Sequence, residues 1–171
     1  KYLSGHSDAM GGTLSVNKKV FKKIMFFYKL SGYRMSADEA YLIIRGLRTL
    51  DVRLKSHQEN TKKVINFLNR QKTIKEVLYP HIPSSKNYKL WKKYYSGATG
   101  LLSVVIKSKK KASVVKFVNS LELFGIGYSW GGFESLVLLQ ELRNSTEYTK
   151  GRKFFKYGKD EHIVRLHIGL E

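Results

Sequence analysis

The strongest constraint on the fold is a repeated switch of hydrophobic period along the second half of the chain. Leu101 to Ile106 is an apolar run short enough to be a buried strand. Lys111 to Leu121 follows at helical spacing, with Val114, Val115 and Val118 directed inward. Ile126 to Gly132 reads as a strand and then a tight glycine turn, Arg143 to Lys159 as a polar loop, and Ile163 to Leu170 as a last strand. Elements that alternate in this way bury their apolar faces as layers, so an α/β or α+β domain is expected.

The first half carries more helix. Gly5, Gly11 and Gly12 punctuate the opening, followed by a short strand-like run, Thr13 to Val16. Lys18 to Leu30 reads as a helix, with Val20, Ile24, Phe27 and Phe26 or Leu30 on one side, and Ser31-Gly32 breaks it. Ser36 and Glu39 are spaced as a capping box that opens a long helical stretch from Ala37 to about Gln71. Gly46, inside that stretch, marks a kink or a domain seam. Ile74 to Leu78 reads as a strand ended by Pro80 and Pro83, and Lys86 to Tyr95 as a short helix. The opening segment is too small for a domain. It reads as the tail of one that began before Lys1, and a first residue other than Met points to processing or to an excerpt.

Composition narrows the class. An apolar fraction of 42% can fill a core, which excludes full disorder, and the absence of cysteine excludes a disulfide scaffold and a thiolate metal site. No apolar run reaches 18 residues and no signal-peptide pattern opens the chain, so a soluble, cytoplasmic protein is expected. Lys and Arg number 32 against 13 Asp and Glu, a net charge of +19. Such a surplus attracts polyanions. It is mostly Lys, scattered along the chain with many Ile, Asn, Tyr and Phe, which fits an AT-rich coding sequence better than a nucleic-acid arm. The cluster Lys107, Lys109, Lys110 and Lys111 reads as a solvated turn between strand and helix.

Three clusters carry candidate chemistry. In Lys1-Tyr2-Leu3-Ser4-Gly5-His6-Ser7-Asp8, Lys1 is either a Schiff-base lysine or a frayed end. His6 and Asp8 either orient it, contact a cofactor or form a metal pair, for which no third ligand is in sequence. In Tyr128-Ser129-Trp130-Gly131-Gly132-Phe133-Glu134-Ser135, the double glycine marks either a backbone that approaches a ligand or a structural turn with buried aromatics. In Val164-Arg165-Leu166-His167-Ile168-Gly169-Leu170, alternation puts Val164, Leu166 and Ile168 on one face and Arg165, His167 and Gly169 on the other. An Arg on such a strand needs an anion, from protein or from ligand.

Together these clusters resemble the Cys/Met-metabolism family of pyridoxal-phosphate enzymes. Lys1 to Asp8, followed by Gly11-Gly12, is similar to that family's cofactor-lysine motif, without the Thr that precedes the lysine. Asp38 to Leu42 and Arg45 to Leu54 are also family-like. Trp130, where the γ-synthases and γ-lyases usually carry Leu, resembles the β-lyase branch, and Arg165 to Glu171 agrees. The resemblance implies a type I aminotransferase-like fold. Residues 1–47 would be the end of the large cofactor domain and residues 48–171 most of the small α+β domain, lacking its last helix. It implies pyridoxal 5'-phosphate as cofactor, held by Lys1, which also transfers the substrate's α-proton. Arg165 would hold the substrate's α-carboxylate, Ser129 would position the carboxylate or the lysine amine, and Trp130 would shape the side-chain pocket. No metal is implied. The implied reaction is α,β-elimination of L-cystathionine to homocysteine, pyruvate and ammonia, a carbon–sulfur lyase step of transsulfuration and methionine biosynthesis. Cystine and other cysteine S-conjugates share the head that Arg165 would hold.

In this family most of the cofactor site precedes the lysine, and the assembly is a homotetramer built from dimers. A chain with these limits is therefore expected to be inactive alone and to expose apolar surface that invites aggregation or a partner. Two other classes compete. One is a non-catalytic remnant or subunit of such an enzyme. The other is a basic nucleic-acid-binding domain, which would need Lys or Arg gathered on one face beside exposed aromatics.

Overall fold

The computed structural model describes residues 1–140 and 157–171. The expected loop from Arg143 to Lys159 falls almost wholly outside the described residues. Within them the order is α1 (Lys18–Ser31), α2 (Ala37–Leu47), α3 (Leu50–Leu68), β1 (Ile74–Leu78), α4 (Tyr88–Tyr94), β2 (Leu101–Lys107), α5 (Lys111–Asn119), β3 (Gly125–Ile126), β4 (Leu136–Gln140) and β5 (Glu161–His167). The fold is a mixed α/β arrangement around one five-stranded sheet.

The sheet runs in the order β1-β2-β5-β4-β3. β5 is antiparallel to β2 and to β4, while β3 is parallel to β4. Register fixes two faces. Leu102 lies opposite Leu166 and Val104 opposite Val164, with Val137 and Leu139 of β4 beside the same pair. These residues join Val77, Ile65 and Leu68 of α3, and Val114 and Val118 of α5 in one apolar core. Both helices therefore cover the same side of the sheet. The other side carries Ser103 opposite Arg165 and Leu101 opposite His167. From Val164 to His167 β5 is thus apolar towards the helices and polar towards the opposite face, to which Ile163 adds one buried apolar side chain.

Capping sets the helix limits. Asn17 accepts from the Val20 N–H at 3.3 Å to start α1, and Gly32, at φ 68°, ends it in the left-handed region. The Ser36 hydroxyl accepts from the Glu39 N–H at 3.1 Å and donates to the Glu39 carboxylate at 3.3 Å. The capping box is therefore present, with the glutamate returning to the hydroxyl.

Four sequence expectations are corrected, and one strand is added. Thr13 to Val16 forms no strand, because period alone does not supply a neighbour. The expected helix from Ala37 to Gln71 is two helices, broken at Arg48-Thr49. Val115 is more than a third exposed, since only i, i+4 neighbours of α5 face the sheet. The strand expected from Ile126, ahead of the glycine turn, is confined to Gly125–Ile126. β4 emerges from a stretch that carries no alternating signal of its own.

Gly46 has a packing reason. A Cβ there would fall on the Ser4 carbonyl oxygen and lie 2.5 Å from that of Leu3. α2 can receive the opening segment only where it has no side chain. Along α1, Phe21, Phe26, Phe27 and Leu30 remain exposed and none of its residues is buried. No described helix is long and apolar enough to cross a membrane.

Candidate active site

The site is built by three segments that meet at the polar face of β5. The first is the Lys1–Gly5 turn, closed by the Gly5 N–H on the Lys1 carbonyl at 2.8 Å and by the Ser4 hydroxyl on the same carbonyl at 3.0 Å. Arg53, from the first turns of α3, clamps this segment. It donates to the Tyr2 carbonyl at 2.7 Å, the Leu3 carbonyl at 3.2 Å, the Gly46 carbonyl at 2.7 Å and the Thr49 hydroxyl at 3.1 Å. Every polar partner of Arg53 is neutral, and burial lowers its pKa. Its guanidinium fork suits several carbonyls at fixed angles, which an ammonium cannot match.

The second segment is the turn 127–135, which links two parallel strands and must reverse twice in a short length. Gly131 supplies the left-handed residue, at φ 87°. A Cβ there would also meet the Tyr2 backbone nitrogen at 2.8 Å. The close approach anticipated at the double glycine is therefore to the chain's own Tyr2. The buried-aromatic alternative is corrected: Tyr128, Trp130 and Phe133 are exposed, because the turn lies outside the core.

The third segment is β5 with the residues after it. Arg165 donates to the carbonyls of Gly127 at 3.3 Å and Ser129 at 3.5 Å, and its guanidinium carbon lies 5.4 Å from the Trp130 ring centre. No carboxylate among the described residues pairs with it. Lys1 Nζ donates to the Ser129 hydroxyl. The structure thus brings together Lys1, Ser129, Trp130 and Arg165, drawn from sequence positions up to 164 apart. The Ser7 hydroxyl donates to Glu134, a second tie between the opening segment and the turn. Burial pushes the Glu134 carboxyl up, but the Ser7 hydroxyl, its own backbone and the nearby His167 and Lys1 outweigh this and hold it below the usual range.

His6 and Asp8 do not join the cluster as a metal pair. His6 Nδ1 lies 3.3 Å from the Ser4 carbonyl and its ring lies against Phe133, and no metal-like group of three ligands exists among the described residues.

Several site residues were not singled out in the sequence. Arg53, His57 and Thr61 are buried at successive i, i+4 positions of α3, in line with Ile65 and Leu68. Polar residues on the apolar stripe of a helix are the signal that could have exposed them.

The model of the Cys/Met metabolism PLP-dependent enzymes matches residues 1–171. The chain belongs to that family. Its family is pyridoxal-phosphate-dependent. Over 172 aligned residues the chain is 38% identical to cystathionine beta-lyase of Escherichia coli (strain K12), covering all of this chain and 43% of that protein. It is 36% identical to L-alanine/L-glutamate racemase of Wolbachia pipientis wMel, covering all of this chain and 41% of that protein. The crystal structure of cystathionine gamma synthase from Xanthomonas oryzae pv. oryzae, with aminoacrylate and cysteine, superposes with a TM-score of 0.84 at 28% identity. That match covers all of this chain and 44% of the other. The chain thus spans less than half the length of these family members, and they include more than one reaction.

Proposed function

We propose that this chain forms the substrate side of a pyridoxal 5'-phosphate-dependent carbon–sulfur lyase that cleaves L-cystathionine by α,β-elimination. The observation that carries this reading is the convergence of a primary amine, Lys1, and a guanidinium without a carboxylate partner among the described residues, Arg165, on either side of Ser129. An aldehyde cofactor needs the amine, and an α-amino acid needs the cation, so the residues present fit both. The similarity to cystathionine beta-lyases supports the choice of reaction, as does Trp130 beside Arg165.

Each side chain then has a task. Arg165 binds the α-carboxylate, and the Trp130 ring beside its guanidinium keeps that cation flat and partly dry. Ser129 accepts from Lys1 Nζ and directs the amine towards the substrate's α-carbon. Lys1, its amine free, would take the substrate's α-proton as general base and hold it for the departing sulfur. Pyridoxal phosphate, when bound, supplies an electron sink for the charge left on that carbon. The β C–S bond then breaks, the sulfur departs protonated as homocysteine, and water releases pyruvate and ammonia from the three-carbon remainder. In this reading residues 1–47 end the cofactor domain and residues 48–171 form most of the small domain, within a cytoplasmic homo-oligomer.

Treating the chain with pyridoxal phosphate and borohydride, then mapping the label by peptide mass spectrometry, tests the assignment of Lys1. Label concentrated on the Lys1 side chain, with the other lysines nearly clean, is the expected outcome. Label spread over many lysines, or on the α-amino group alone, would remove Lys1 from its role. Product analysis on a full-length enzyme carrying this segment tests the reaction: pyruvate with homocysteine supports it, whereas 2-oxobutanoate with cysteine would mean γ-elimination.

A further inference from the structure

His167 is buried, with 1% of its surface exposed, and both ring nitrogens are engaged. Nδ1 lies 3.0 Å from the Glu134 carbonyl oxygen, which can only accept. Nε2 lies 2.7 Å from the Gly131 backbone nitrogen, which can only donate. The two partners admit one arrangement: a neutral ring with its proton on Nδ1. Gly131 is the left-handed residue of the turn, directly after Ser129 and Trp130. Beyond it the turn is stitched to the chain end by Leu170 N–H on the Phe133 carbonyl at 2.8 Å, Gly169 N–H on the Ser135 hydroxyl at 2.9 Å and Ser135 N–H on the Glu171 carboxylate at 2.7 Å. At Gly131 the acceptor is His167 alone.

We propose that His167 is a positioning residue for the candidate site: as the neutral Nδ1–H tautomer it accepts the Gly131 N–H and fixes the turn that carries Ser129 and Trp130, and when it gains a proton it releases that turn. A protonated ring would set one N–H against another at Gly131.

The groups that face the ring come from each segment packed on it. They are Tyr2 at 5.8 Å and His57 at 5.4 Å between ring centres, the Glu134 carboxylate on the turn and Glu171 past β5. Arg165 lies two residues away on the same face, and Arg53 acts through His57. Strand neighbours opposite His167 are Leu101 and Leu136. Burial is the largest influence and lowers the His167 pKa, with His57 acting in the same direction. The Glu134 carbonyl and the two carboxylates oppose it without reversing it. His57 is likewise lowered by burial, its Nδ1 donating to the Ile168 carbonyl at 2.8 Å and its Nε2 without a partner. Because burial holds the folded His167 value below the ordinary histidine value, the tie is in place above the ordinary histidine range and is lost as pH falls through the folded value.

The inference rests on the reading of Ser129 and Trp130 as site residues, but its test does not. Nitrogen-15 spectra of the histidine rings and amide exchange at Gly131, followed together on the native chain from pH 8 to 5, read both halves of the switch. The expected result is an Nδ1–H ring at pH 7.5. As that ring titrates, the Gly131 protection factor should fall at least tenfold. His167→Gln, whose side-chain oxygen reaches the Nε2 position, is expected to hold protection flat across the range, and His57→Gln to leave the pH dependence in place. An Nε2–H ring, an unprotected Gly131 at pH 7.5, or protection indifferent to His167 titration would overturn the inference. Failure of cofactor trapping at Lys1 would instead sink the lyase reading and leave this one standing.

Discussion

In a full-length family enzyme carrying this segment, Arg165→Leu is expected to lower kcat/KM for L-cystathionine by about 10²- to 10³-fold, carried mostly by KM. The guanidinium has only two long contacts to carbonyls, at 3.3 and 3.5 Å, and an aromatic neighbour. Most of its hydrogen-bonding capacity is therefore free for an anion. A charge-assisted bond contributes about 1.5–3 kcal/mol, and a bidentate carboxylate grip makes two, so a loss of about 3–4 kcal/mol follows. Leucine keeps apolar volume beside Trp130, which limits the damage to the fold. Arg165→Lys should recover only part of the loss, because an ammonium cannot make the paired grip. Steady-state kinetics of pyruvate release read the effect. A change in KM below about fivefold for Arg165→Leu would show that the carboxylate is held elsewhere.

Arg53→Met is expected to cost about 3–5 kcal/mol of stability and to loosen Lys1. Three carbonyls, those of Tyr2, Leu3 and Gly46, and the Thr49 hydroxyl lose their donor together. Each buried acceptor left alone costs about 1–3 kcal/mol, reduced here because the opening segment can move out to water. For a chain of this size that corresponds to a fall in Tm of roughly 6–20 °C. The consequence for the site is more specific than the loss of stability. With the clamp gone, borohydride trapping at the Lys1 side chain should lose its selectivity, whereas a variant equally destabilised in the core, such as Val104→Ala with a deeper truncation beside it, should keep it when folded. Unchanged thermal unfolding of Arg53→Met would mean that the opening segment is held by its other contacts, among them the Gly100 N–H on the Tyr2 hydroxyl at 3.1 Å.

Most of the fold was legible because its elements carry local signals. β1 appears at Ile74–Leu78, ahead of the prolines that end it, and α2 starts at the cap read from Ser36. β4 was not legible: its pattern is apolar without alternation, and it exists because β5 offers an edge in register from Leu136 to Gln140. The break at Arg48-Thr49 was half legible. Gly46 was visible as a weak point, but its cause, the Leu3 and Ser4 carbonyls pressed on the helix, is a contact between distant parts of the chain.

The candidate site divides in the same way. Residue type alone left Lys1, Ser129, Trp130 and Arg165 open, each with a structural alternative; the resemblance of their motifs to the family, in the same order along the chain, is what singled them out as side chains that could serve. Tertiary structure alone decided that Ser129 lies between Lys1 and Arg165, that Arg53 holds the first and that His167 holds the turn. Those arrangements depend on strand register and on carbonyls brought close by packing, and a backbone carbonyl leaves no trace in the identity of its residue.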